Sequence, residues 1–157
     1  MHLEYFQLID RIVDLDVGKR TITVEAQVPQ QNTIFEGHFP GYPLMPGVLL
    51  IEAMAQASGW LLIALMKFER MPFLAAVKEA KMRDFVSPGE LLTIHAGVLH
   101  EGSGYAMTEA KIKIGGKLKC NATLTFSHIP FPNADLRGHM EAMAKKIGFP
   151  QQAIAHD

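Results

Sequence analysis

The stretch PGVLLIEAMAQASGWLLIALMKF, residues 46–68, decides how the rest of the chain is arranged. Pro46 lacks a backbone N–H and suits a helix start, where the first N–H groups have no intrahelical partner anyway. From there to about residue 68 almost every side chain is apolar, on all faces of the predicted helix. Such a helix is enclosed, either by protein or by lipid, and its length is enough to cross a bilayer. Glu52, Gln56, Ser58 and Gly59 argue against lipid, since a charged residue at the bilayer centre costs about 2.5–3.5 kcal/mol. The flanking sequence argues for protein.

Upstream, residues 7–16 and 20–28 are rich in Ile, Val, Leu and Thr and read as two strands joined by a hairpin at 17–19. A polar loop follows at 29–32. The loop at 37–46 carries Pro40, Gly41, Pro43 and Pro46, and its prolines restrict the backbone around His38. Downstream, residues 71–82, 91–101, 105–114 and 117–128 read as strands. In the last of these, Leu118, Cys120, Ala122, Leu124 and Phe126 alternate with polar residues, the period of a strand with one wet face. Gly115-Gly116 marks a hairpin and Ser87-Pro88-Gly89 a turn. The order predicts an α+β chain with the hot-dog fold, an antiparallel sheet wrapped around one long central helix, over residues 1–129. Pro130 and Pro132 end the last strand. In the 130–157 extension, Leu136, Met140, Met143 and Ile147 recur at helical spacing and predict a short amphipathic helix that Gly148 stops.

A chain of 157 residues suits one domain with a substantial core. The net charge of −1 gives no basic field for nucleic acid. Cys120 is the only cysteine, so neither an intrachain disulfide nor a cysteine zinc cluster can form. Residues 1–10 lack the basic and apolar regions of a secretory leader. A cytoplasmic protein is therefore expected. His2, His95, His100, His128, His139 and His156 show no metal-ligand spacing, and no metal or other cofactor is expected. Met45, Met54 and Met66 read as core, or as the lining of a tunnel for flexible chains.

The chemistry centres on two residues. Glu52 sits in the apolar helix, where an unpaired buried carboxylate costs several kcal/mol. His38 sits fourteen residues earlier in the constrained loop. A neutral imidazole is a competent base near pH 7, and a carboxylic acid kept neutral by an apolar site can donate a proton. The pair suits a reaction that takes one proton and delivers another nearby, such as dehydration of a 3-hydroxyacyl thioester. Gly47 at the helix start offers an N–H and the positive end of the helix dipole to an enolate oxygen. Gln56 lies one turn beyond Glu52 and can orient its carboxyl.

The segment GHFPGYPLMPGVLLIEAMAQ, 37–56, resembles the Z-type 3-hydroxyacyl-[acyl-carrier-protein] dehydratases of bacterial fatty-acid synthesis. LIDRI with the following GKR, and AAVKEAKMRDFVSPGEL at 75–91, resemble flanking segments of the same family, so the likeness covers roughly residues 3–128. It implies that His38 and Glu52 are the catalytic pair and that Gly47 holds the oxyanion. It also implies an acyl-carrier-protein substrate and a homodimer, with His38 of one protomer facing Glu52 of the other and further assembly as a trimer of dimers in many members. The related isomerising enzymes carry aspartate at the place of Glu52 and tryptophan at that of Ala55, which favours simple dehydration here. Trp60 is a departure from the family pattern and is expected in the acyl tunnel. Lys78, Lys81 and Arg83 are candidates to meet the carrier protein, and Lys111, Lys113, Lys117 and Lys119 read as a solvated sheet face. Two other activities on the same fold are an acyl thioesterase and a non-catalytic acyl-binding module.

Overall fold

Helix α2 (Gly47–Leu65) passes through the middle of the protein, with Pro46 as its N-cap. The structure, a computed structural model, describes residues 1–150; His156 and the end of the 130–157 extension lie outside the described residues. The helix is long and apolar enough to cross a membrane, but 67% of its apolar window is buried inside the protein. It ends three residues before the expected position 68. Lys67 and Phe68 take φ values of 52° and 60°, and Phe68 N–H donates to Ile63 O at 3.0 Å. This is the bond pattern of a left-handed helix terminus. Fully buried Phe68 anchors it.

The sheet is six-stranded and antiparallel throughout, in the order β1-β2-β4-β5-β6-β3. Its strands are β1 (Arg11–Asp16), β2 (Thr21–Gln27), β3 (Met71–Met82), β4 (Leu91–Gly102), β5 (Tyr105–Ile114) and β6 (Lys117–Ile129). Alternate residues of β2, β4, β5 and β6 are buried, and α2 packs on that face. Cross-strand pairs bring Ile22 opposite Ala96, Ala96 opposite Ala110 and Ala110 opposite Ala122. This row of mostly small side chains lets the helix approach the sheet closely. One buried polar clip joins the layers: Thr108 Oγ1 donates to Ser58 Oγ at 2.8 Å. Both residues are fully buried, so each hydroxyl needs the other. The β5–β6 hairpin turns through Gly115 and Gly116, both at positive φ (57° and 81°), a geometry that glycine adopts without strain.

Two local expectations change. The first strand begins at Arg11, because residues 3–5 form a 3-10 turn and the backbone just after it is bonded to a side chain of α2. A short helix α1 (Thr33–Gly37) precedes the His38 loop, capped by Asn32, whose Oδ1 accepts from Ile34 N–H at 3.0 Å. The expected tail helix is present as α3 (Ala134–Lys146), capped by Asn133. Ala144, Ile147 and Phe149 join the same hydrophobic cluster as the helix and sheet.

Strand β3 lies at the sheet edge with β6 on one side only. Phe73, Val77 and Met82 are large exposed apolar residues on it, at 59%, 41% and 42%. The strand also carries Pro72 and the exposed charges Lys78, Glu79 and Lys81, and its register shifts between Leu74 and Ala76 and between Lys78 and Lys81, so the exposed apolar area is local to these side chains.

Candidate active site

The sheet and α2 separate along one side, and the gap is a cavity of about 370 Å³. Glu52, Ala55, Gln56, Gly59, Trp60 and Ile63 form its helix wall. These positions follow one stripe of α2 and extend about 16 Å along the axis at 1.5 Å per residue. Tyr5 and Phe6 close one part, Met71, Pro72, Leu74 and Phe126 supply the sheet wall, and His139, Met140 and Met143 come from α3. Trp60 thus lines the cavity as expected. Met45 and Met54 are core residues and do not line it; Met66 packs partly buried against the core.

Glu52 is half-buried, not fully enclosed as its apolar setting suggested, because its side of α2 opens into this cavity. Gln56 holds it in place. The Gln56 amide nitrogen donates to Glu52 Oε1 at 3.1 Å and to Phe6 O at 2.8 Å, while its oxygen accepts from Leu8 N–H at 3.0 Å. A side chain tied at both ends to backbone has little rotational freedom left, so the carboxylate meets a fixed donor.

His38 terminates α1, and its backbone N–H donates to Ile34 O at 2.9 Å. Its carbonyl accepts from Leu44 N–H at 2.8 Å. The imidazole Nδ1 lies 3.0 Å from Leu44 O. A carbonyl only accepts, so Nδ1 carries the hydrogen and the neutral ring presents Nε2 as a base. Phe39 stacks on the ring at 4.2 Å between centroids. His38 does not line the Glu52 cavity of its own chain. The structure therefore brings Glu52 and Gln56 together and leaves His38 at a separate position.

Gly47 begins α2, where Leu49 and Leu50 N–H both return to Pro46 O (3.0 and 3.3 Å). The Gly47 and Val48 N–H groups are the first-turn donors left over. A Cβ on Gly47 would lie 3.4 Å from Met82 Cγ of β3.

Two other groups are set aside by their surroundings. Cys120 is buried in β6 and desolvation pushes its thiol up to about 11, so it is not a ready nucleophile. Lys117 and Lys119 both reach Asp84, at 2.8 and 3.0 Å, and with Phe85 N–H they hold its carboxyl well below the usual carboxylate range. These lysines belong to a local ion-pair cluster at the sheet face. Among the described residues no group of three or more His, Cys, Asp or Glu side chains gathers as a metal site.

The solved structures that resemble this one share its fold. A conserved protein from Pseudomonas aeruginosa superposes with a TM-score of 0.62 at 23% identity, covering 80% of this chain and 91% of that one. A hypothetical thioesterase with coenzyme A from Streptococcus pneumoniae superposes with the same TM-score of 0.62 at 18% identity, covering 78% and 88%. The sequence relatives carry more. A family model described as the FabA-like domain matches residues 1–123. The 3-hydroxyacyl-[acyl-carrier-protein] dehydratase FabZ of Lactiplantibacillus plantarum is 39% identical over 119 residues, 75% of this chain and 80% of that protein. FabZ of Lactococcus lactis subsp. cremoris is 38% identical over 129 residues, 80% and 87%. With a hot-dog fold, a half-buried carboxylate in an apolar trough and this degree of identity, the chain belongs to the FabA-like family and, within it, to the FabZ-type 3-hydroxyacyl-[acyl-carrier-protein] dehydratases.

Proposed function

We propose that this protein dehydrates (3R)-3-hydroxyacyl-[acyl-carrier-protein] to the trans-2-enoyl form in fatty-acid synthesis in the cytoplasm, with His38 and Glu52 as the acid–base pair. The observation that carries the reading is the Glu52 carboxyl, held by Gln56 at one end of a long apolar trough. His38 Nε2 takes a proton from C2, and the Glu52 carboxyl gives one to the C3 hydroxyl as it leaves as water. The C2–C3 double bond forms from the electrons of the broken C2–H bond. Proton exchange with solvent then resets both groups. The Gly47 N–H stabilises the enolate oxygen of the thioester, which makes C2 acidic enough to lose its proton.

His38 reaches this site from a second copy of the chain. Support comes from its position outside its own chain's cavity and from the exposed apolar side chains Phe73 and Val77 of edge strand β3, area that a second copy would cover. Lys78 and Lys81 are exposed on the same strand and suit an acidic carrier protein.

The test is to incubate the protein with a 3-hydroxyacyl carrier protein and follow enoyl absorbance and free thiol together. Enoyl product without thiol is the expected result. Thiol release would instead identify a thioesterase, and acyl binding without either signal a binding module.

Gly47→Ala separates an oxyanion role from simple helix geometry. The added methyl meets only the flexible end of half-exposed Met82, and alanine is a better helix former than glycine, so the fold should keep its melting temperature. If the thioester oxygen must approach this backbone closely, kcat/KM drops about a hundredfold, the cost of roughly 1 Å of misplacement. Unchanged kcat/KM would leave Gly47 with a structural role only.

A further inference from the structure

The cavity wall contributed by α3 is not part of the matched family region. The family match ends at residue 123, and α3 begins at Ala134. Yet His139, Met140 and Met143 border the same cavity as Glu52. The helix is firmly seated. Leu136 N–H donates to Asn133 Oδ1 at 2.8 Å at its start. At its end, Ile12 N–H donates to Ile147 O at 2.8 Å, Ala144 is fully buried, and Phe149 packs on Trp60 and Phe68 with centroids 5.9 and 5.4 Å apart. These contacts hold the helix along the stripe of α2 that leads from Glu52 to Ile63. Were α3 absent, Met140 and Met143 would no longer border the trough beside Trp60 and Ile63.

We infer that α3 is a wall of the acyl-binding trough and that Met140 and Met143 set the length of acyl chain the enzyme accepts. The inference rests on the dehydratase reading above. The trough begins at the Glu52 carboxyl, assigned to protonate the C3 hydroxyl, so the rest of the acyl chain has to run along α2 under this wall. Both methionines are partly buried against the core and have unbranched, adaptable side chains, so they conform to a bound alkyl chain and limit how much of it fits. A substrate therefore gains contact with each added methylene until it meets α3, and loses affinity beyond that point.

The experiment measures kcat/KM over a ladder of straight-chain substrates from 3-hydroxybutyryl to 3-hydroxystearoyl carrier protein, for the wild type, Met143→Trp and the double variant Met140→Ala/Met143→Ala. Thermal unfolding is recorded for each. Met143→Trp is expected to move the optimum to shorter chains and to lower the ratio of long-chain to short-chain kcat/KM about tenfold or more, the lower range of what one methylene contributes to discrimination. The alanine variant is expected to move the optimum to longer chains. It cannot fail by overpacking, so its profile decides the matter if the tryptophan variant does not fold. Wild-type ratios in the alanine variant would overturn the inference while leaving the dehydratase reading intact. A wild type inactive on every member of the ladder would overturn that reading as well.

Discussion

Glu52→Gln is expected to lower kcat by about 10²–10⁴-fold, the usual contribution of a positioned general acid. An amide has the shape of the carboxyl but no proton to give to the leaving hydroxyl. The substitution is also gentle on the fold. Glu52 is half-buried and accepts one hydrogen bond, from Gln56, and a glutamine oxygen accepts the same bond. Gln56 keeps its two backbone partners in either case. The melting temperature and oligomeric state should therefore stay at wild-type values while turnover disappears. Wild-type turnover by this variant would end the acid assignment.

His38→Ala is expected to cause a loss of similar size, about 10²–10⁴-fold, by removing the base. Here a modest stability cost accompanies it. Leu44 O loses its imidazole donor, worth about 1 kcal/mol for a hydrogen bond of this kind. The two variants together test how the site is assembled. If His38 of one protomer serves Glu52 of its partner, mixing the inactive variants and allowing the chains to exchange restores activity, because each mixed dimer has one site with both residues intact. If the pair belongs to a single chain, no mixture regains activity. A further control is His139, which shares the cavity with Glu52. Full activity of His38→Ala with loss in His139→Ala would transfer the role of base to α3.

Much of the fold was legible because burial imposes a period. The strands over 105–114 and 117–129 alternate cleanly, and the two glycines between them state their turn. The central helix was legible from its nearly continuous apolar run. Glu52 read as enclosed, although Glu52, Gln56 and Gly59 share the one stripe of the helix that borders the cavity. Helix α1 is only five residues long and leaves no period, and Asn32 was its sole signal. The sequence-distant walls of the cavity were not legible either. Phe6, Pro72 and Met143 meet only through the topology, and their residue types read as ordinary core. Glu52 stood out because a carboxyl is out of place in an apolar helix, whereas His38 stood out only through the motif around it.

The three bonds of Gln56 have a consequence for how the protein is handled. The Glu52 carboxyl that we assign as the acid is linked through one amide to the backbone at Phe6 and Leu8, and Tyr5 and Phe6 border its cavity. Displacing residues 5–8 is thus expected to lower turnover together with the Gln56–Glu52 contact. An affinity tag fused at that end is expected to change kcat wherever it shifts Phe6 or Leu8, which a comparison of tagged and untagged protein measures.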